Sequence, residues 1–551
     1  MSIEQMKNIM FEKPNYEEWK EEAIRTLKGK PYEELITPTF EGINLEPLYT
    51  IEHLQNTVNY ADVISYEKVD SNWTIAQRIS GNSAKEFLHN TKIQLERGNE
   101  MIVYCGSSTP FSWSKEESLE LVDLLKANPF YFKIKNTKDE ILHVLSLLTE
   151  EEKSKGIMHG TPTSFGRTLI TTSEIHNNGG TAIHELAYAL VGLAKIQETQ
   201  ESFTSKLAVQ FSIDTNFFME IAKLRAFRIL WNAFSKAYDA DHVSIPILAE
   251  TSMRSYSKLD PTVNLLRGGN AAFSAVLGGA DIVTVHPHDV ITGSSPISER
   301  IARNVQLVIR EETMVNKFID PSAGSYYVES LTSELVQQAW TLFLQVLTLN
   351  PDEQLDHLNS LAKETQSFRE NSMAKRQSSL IGTNVYSNPE DEVSSTILNE
   401  EMERLAIPFE TLRTHFVSYP LKSAIVSFGV LKEIKPRADF VQGFLQAGGL
   451  KPELSPVFNT TSDAWRWIKS NGISYVVVVA KDEDTKVFLP EILSMSDNQR
   501  TIIDVAGRFG DDESNWRSHG LNGSIYAGQN LIEKMQQLVV IQKEVLSNEQ
   551  A

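Results

Sequence analysis

From about residue 70 to about residue 345, short apolar segments alternate with longer amphipathic ones. This alternation narrows the choice of fold more than any other feature of the chain. MIVYCG (101–106), RTLITT (167–172), HVSIPILAE (242–250) and DIVTVHP (281–287) read as buried strands. HELAYALVGLAKIQE (184–198), NAAFSAVLGGA (270–280) and SERIARNVQLVIREE (298–312) read as helices. Alternation over so long a stretch favours an α/β fold in which parallel strands close into a barrel, rather than an open sheet.

A second α/β unit begins near residue 420, with strands expected at 424–428, 474–480, 501–506 and 523–527 and helices that include 461–470 and 528–545. This pattern predicts a smaller doubly wound domain. In AIVSFGVLKEIKPRADFVQGFLQAGG (424–449), a strand, a loop and a helix starting near Pro436 are expected, because proline suits a first helical turn. The loop 430–435 stands at the carboxyl end of its strand, where open α/β sheets hold ligands, yet it has no glycine, histidine or hydroxyl. The polar, turn-rich stretch 366–400 reads as a linker or wrap. At the other end, Asn15 and Glu18 form a capping-box pair before an apolar stripe of Tyr16, Trp19, Ala23, Ile24 and Leu27, which Gly29 and Pro31 end. The expected divisions are an arm (1–45), a barrel (46–365), a linker (366–419) and the second domain (420–551).

A length of 551 residues accommodates these units, and a net charge of −20 with no basic run excludes nucleic acid and anionic membranes as partners. The one cysteine, Cys105, excludes an internal disulfide and a thiolate zinc cluster and fits a cytoplasmic location. The first 20 residues have no apolar core of signal-peptide length, and no uninterrupted apolar run approaches a membrane helix.

The chain has no P-loop, no GxGxxG after a strand, no HExxH and no GxSxG. His286 and His288 share one face of a strand end and are candidate metal ligands with Asp289 adjoining, but no third histidine is near in sequence, so no metal site is expected. His176 follows a strand and precedes a helix, a place at the mouth of a barrel suited to a general acid or to a backbone-bonded loop histidine. Gly179 and Gly180 permit a tight turn there, and Thr181 can cap the next helix. The turn-rich stretch from Asp320 to Glu329 reads as a structural loop.

Several long motifs, in order, resemble the methylmalonyl-CoA mutase family. They are NYEEWKEEAIRTLKGKPYEELITPTFEGINLEPLYT (15–50), WTIAQRI (73–79), DPTVNLLRGGNAAFSAVLGGADIVTVHPHD (260–289), RIARNVQLVIREET (300–313) and FIDPSAGSYYVESLT (318–332). The resemblance implies a (β/α)8 TIM barrel followed by a flavodoxin-like domain. It implies isomerisation of (R)-methylmalonyl-CoA and succinyl-CoA by radicals from adenosylcobalamin, held through a DxHxxG histidine. Some bacterial members are heterodimers of a catalytic large chain and a related small chain without cofactor.

Laid on that family pattern, this chain departs where the cofactor would be held. The DxHxxG positions fall on Leu431, Glu433 and Pro436, leaving no imidazole for cobalt, and a carboxylate is a poor substitute. The Ser-x-Leu motif falls on VAKDEDTK (479–486) without its serine, and a Gly-Gly pair falls on Ala506 and Gly507. In the barrel, Arg78 stands where the catalytic chain has a tyrosine, and Leu259 where it has a glutamine before DPxxN. The segment that carries its substrate-pairing arginine is shortened to 156–167, and the nine-residue spacing from His176 to Glu185 resembles the small chain.

The resemblance therefore implies a small subunit with no catalytic residue, no bound cofactor and a degenerate cobalamin-type domain. Arg78, His176 and Leu259 would mark a vestigial barrel pocket. Adenosylcobalamin and the CoA esters would belong to a large partner, wrapped by the arm through Trp19, Ile24 and Leu27. The alternatives are a stand-alone cobalamin-independent enzyme using His176, His286 and His288, or a regulatory binder of the mutase.

Overall fold

The computed structural model describes residues 7, 15–54, 64, 68, 70–106, 111–160, 166–199, 206–238, 243–393, 403–496 and 501–550. The arm helix Tyr16–Thr26 carries the expected capping box: Asn15 Oδ1 accepts from Glu18 N at 2.9 Å, and Asn15 N donates to Glu18 Oε2 at 3.0 Å. A short antiparallel pair follows, β1 (Thr37–Pro38) with β2 (Asn44–Leu45).

Eight parallel strands come next: β3 (Thr74–Ile75), β4 (Ile102–Cys105), β5 (Phe130–Lys133), β6 (Gly156–His159), β7 (Arg167–Thr171), β8 (Leu207–Ile213), β9 (Ile247–Thr251) and β10 (Ile282–Thr284). They pair in the order β3-β10-β9-β8-β7-β6-β5-β4. A bridge between Arg78 and Val103, with Ile79 N donating to the Val103 carbonyl at 3.1 Å, joins the two ends and closes the barrel. Strands β5, β6 and β8 are absent from the sequence reading, although β8 alternates Leu207, Val209, Phe211 and Ile213 with Gln210 and Ser212. Strand β9 starts at Ile247, later than its apolar segment suggests, because Pro246 has no N–H for the ladder.

Alternate residues point inward, and Ala76, Val103, Tyr131, Ile157, Leu169, Ala208, Leu248 and Ile282 form one buried apolar layer with Met101. Outside the strands, helices Ala182–Thr199, Phe217–Ala237 and Tyr326–Leu347 supply Leu186, Leu190, Phe227 and Leu335 to the main core. The 320–329 loop is held from within. Arg225, its side chain 1% exposed, donates to Asp320 at 2.9 and 3.1 Å and to Glu329 at 2.7 Å.

The second sheet comprises β11 (Ser423–Phe428), β12 (Glu453–Phe458), β13 (Tyr475–Val479), β14 (Ile502–Ala506) and β15 (Gly523–Ile525). They are parallel, in the order β12-β11-β13-β14-β15, the flavodoxin-like arrangement. Strand β12 is absent from the sequence reading because it is an edge strand interrupted by Pro456. The expected helix start at Pro436 is corrected: the helix spans Leu431–Ala447, so Pro436 lies in its second turn. Glu433 N and Ile434 N donate to the Val430 carbonyl at 2.9 and 3.2 Å, so the first turn forms ahead of the proline. The polar stretch between the units is helical at both ends, in Gln354–Ala374 and Ile407–Ser418, while its residues 394–402 lie outside the described residues. Among the described residues, no helix is long and apolar enough to cross a membrane.

Replacing Arg225 by alanine strands two carboxylates around a buried vacancy, which costs about 3–5 kcal/mol when one partner of a buried ion pair is removed. The urea midpoint of the Arg225→Ala chain should fall accordingly. A change below about 1 kcal/mol would mean that the clasp is not holding the loop.

Candidate functional site

The inward-facing pattern of the barrel changes character one step above its apolar layer. Two residues further along each strand, toward the carboxyl ends where barrel enzymes place their chemistry, stand Arg78, Lys133, His159, Gln210 and Glu250. On β10 the same face continues past its end to His286. Glu250 is the hub. It accepts from Arg78 Nη2 and Gln210 Nε2 through short bonds, and from His286 Nε2 at 3.0 Å. Tyr131 donates to the Gln210 side-chain oxygen at 3.4 Å.

Burial opposes the charge on Glu250, but Arg78 and His286 outweigh it and hold the carboxyl well below its ordinary range. Burial likewise works against Arg78, and Cys105 and Glu250 overcome it, so the guanidinium stays charged. Burial and then Arg78 push His286 down, so its ring is neutral at neutral pH and its Nε2–H donates to Glu250.

His176 belongs to a separate network behind this layer. It lies in the short helix Ser173–Asn177 and is fully buried. Its Nδ1–H donates to Glu185 Oε1 at 2.9 Å, and its Nε2 accepts from Ser252 Oγ at 2.7 Å. Glu185 also accepts from Lys223 Nζ at 2.9 Å and Thr172 Oγ1 at 2.8 Å. Arg254 pairs with Asp214 at 2.7 Å and donates to the carbonyls of His176 and Gly180 at 2.9 and 3.1 Å. Gly179 takes φ +95°, and Thr181 Oγ1 accepts from His184 N at 3.3 Å, the expected turn and cap.

Ser252, His176 and Glu185 thus stand in the order of an acyl-transfer triad. Burial and the Arg254 charge, however, bring His176 down to about 4, too weak a base for proton transfer at neutral pH. Ser252 Oγ is also engaged by Arg254 N at 3.0 Å, and Lys223 already answers Glu185. The arrangement positions the βα loops rather than activating a nucleophile.

At the carboxyl edge of the second sheet, the side chains close on one another. Arg437 Nη1 donates to the carbonyls of Ala480 and Ala506 at 2.6 and 3.4 Å, beyond β13 and at the end of β14, and its Nη2 pairs with Asp482 at 2.7 Å. Lys481 pairs with Glu433 at 2.7 Å, and Lys486 with Asp512 at 2.8 Å. Gly507 takes φ +129°, and a Cβ there would meet the Phe509 ring at 2.9 Å. Leu431 is 62% exposed on the first helical turn, with Val430 just before it also exposed.

The candidates from sequence do not converge on one site. Arg78 is in the barrel mouth, His176 is in the network behind it, and Leu259 is not a pocket residue. Leu259 is fully buried in the core against the second domain, with Phe409, Leu412 and Phe444. His286 binds Glu250, and the His288 carbonyl accepts from Asn264 Nδ2 at 3.0 Å. Among the described residues, no group of three His, Cys, Asp or Glu side chains is gathered around a metal position. The arm helix with Trp19, Ile24 and Leu27 buries none of its residues in this chain, and Ile24 is 44% exposed. Sequence reasoning missed Lys133, His159, Gln210 and Glu250. The available signal was the two-residue period, legible in β9 as Leu248 then Glu250.

The methylmalonyl-CoA mutase family profile matches residues 161–410. The small subunit of methylmalonyl-CoA mutase from Porphyromonas gingivalis is 30% identical over 431 residues, covering 68% of this chain and 69% of that protein. A probable methylmalonyl-CoA mutase small subunit from Mycobacterium tuberculosis (strain H37Rv) is 33% identical over 298 residues, 50% of this chain and 48% of its own length. The Porphyromonas gingivalis large subunit is 31% identical over 314 residues, 53% of this chain and 43% of its own. Among solved structures, dihydropteroate synthase from Burkholderia cenocepacia overlays with a TM-score of 0.26 at 16% identity over 44% of this chain and 92% of that one, too slight a likeness to bear on function.

The buried network makes the fold acid-sensitive. An unfolded histidine titrates near ~6.5, whereas folded His176 is brought down to about 4 by burial and Arg254. Between those values the unfolded chain binds a proton that the folded chain refuses, so stability falls as pH drops through this window. Urea midpoints should decline across it, with a share on the order of 3 kcal/mol absent in His176→Asn. A fluorophosphonate probe at neutral pH should leave Ser252 unlabelled, and labelling that His176→Asn abolishes would contradict the positioning role.

Proposed function

The chain belongs to the methylmalonyl-CoA mutase family, and on that premise we propose that it is the small, non-catalytic subunit of a heterodimeric mutase. The observation that carries this reading is the closed edge of the second sheet. Residues Leu431, Glu433 and Pro436 are helical and carry no imidazole, and Arg437 occupies the carboxyl ends of the central strands with its own ion pair to Asp482. The residues present do not fit adenosylcobalamin.

In this reading the large partner binds adenosylcobalamin and the CoA esters and carries out the isomerisation of (R)-methylmalonyl-CoA and succinyl-CoA. The names of the relatives, small subunits among them, support a large-chain partner. Arg78 and Glu250 place an ion pair in the barrel mouth, where a radical pocket must exclude water. The arm, taken as 1–45, contributes its unburied helix to the partner, with Trp19, Ile24 and Leu27 as contacts. Related barrels on related chains can pack about a pseudo-twofold axis, which makes this chain a scaffold for the catalytic one.

The test is a titration with adenosylcobalamin, following corrin absorbance and mutase activity, of this chain alone and mixed with the large chain. Cofactor uptake and succinyl-CoA turnover only in the mixture are expected. Uptake by this chain alone would sink the reading. Trp19→Ala should weaken assembly by roughly tenfold or more if the arm is an interface anchor, read by analytical ultracentrifugation of the mixture.

A further inference from the structure

We propose that the mouth of the barrel in this chain holds a small oxyanion, a carboxylate or a phosphate, against the Lys133 ammonium and the Arg78 guanidinium. The proposal is independent of the mutase reading and concerns binding, not turnover.

The polar layer above the apolar one presents two standing cations, Arg78 and Lys133, against one carboxylate, Glu250. Glu250 is committed to Arg78, Gln210 and His286. Among the described residues, no carboxylate lies within ion-pair reach of Lys133, although Lys133 is partly buried at the end of β5. Glu250 acts on Lys133 only at a distance, and an ammonium short of a direct partner is a group that an anion answers.

Unpaired nitrogens supply a second observation. Lys133 and His159 are register partners on β5 and β6. Nδ1 of His159 is a buried atom without a hydrogen-bond partner, and so is Nδ1 of His286, a residue 4% exposed. Orphaned buried polar atoms are rare in native proteins and commonly mark a missing ion or water. Lys133 also stands close enough to both imidazoles to disfavour their protonation. An anion there would cancel that field and let each ring either accept from a ligand O–H or donate to an oxygen. Arg78 is 32% exposed at this mouth, so a solute can reach the group.

The experiment is calorimetric titration of the full chain with inorganic phosphate and, separately, with acetate, at constant ionic strength set by chloride. Saturable one-site binding of at least one anion is expected, weakened about tenfold or more in Lys133→Met, the loss that one charge-assisted contact accounts for. Phosphate alone binding would identify a phosphorylated ligand class, and both binding would identify carboxylates as well. Histidine side-chain nitrogen NMR of the unmutated chain gives a reading that does not depend on the variant's folding, with two of the 12 histidines shifting on saturation. The proposal is overturned if neither anion binds saturably, if Lys133→Met binds as tightly as the parent, or if no histidine resonance moves.

Discussion

The barrel depends on a closure made by very little chain. Strand β3 has two residues in regular ladder, Thr74 and Ile75; Glu100 N, just ahead of β4, donates to the Ile75 carbonyl at 2.9 Å, and past the end of β3 the bridge from Arg78 to Val103 completes the join. That bridge removes both edges of an eight-stranded parallel sheet. The pairing register of each strand fixes its inward face, because side chains alternate with a period of two. The apolar layer from Ala76 to Ile282 and the polar layer above it both follow from this register.

Charge is distributed unevenly over this frame. The polar mouth has Arg78, Glu250 and His286 in mutual contact, and behind it His176, Glu185, Lys223, Arg254 and Asp214 form a second buried set. Buried charges are tolerated because nearly every one meets an opposite charge or a backbone carbonyl. Arg228 illustrates the rule, since it pairs with Asp281 at 3.0 Å while Asp281 accepts from Ile247 N at 2.8 Å. Such networks tie loops and helices to strands more specifically than apolar packing does, and they expose the fold to acid where carboxylates are held low.

Much of the architecture was legible in the chain. The strand–helix alternation, the capping box at Asn15 and Glu18, and the valine run of β13 appear in the structure where the residues place them. Other elements were not legible for local reasons. β12 carries a proline, and the helix after β11 starts ahead of Pro436 rather than at it. Proline in the second turn forfeits one backbone bond, a cost that burial of Ile434 and the Glu433–Lys481 pair help to offset. Composition marks Pro436 as a helix start, but packing under the sheet decides where the helix begins.

By itself, the sequence determined the α/β class, the family motifs and which residue types stand at the cofactor-type positions, because these are properties of local pattern and identity. Tertiary structure decided which polar groups meet. Arg78 reaches Glu250 across 172 residues and His176 reaches Ser252 across 76, contacts that no local spacing encodes. It also moved Leu259 from a supposed pocket to the core beneath the second domain and set Arg437 over the ends of β13 and β14. The reason is physical: closing a barrel and stacking a second sheet juxtapose distant side chains, and their chemistry depends on the charges and burial found there.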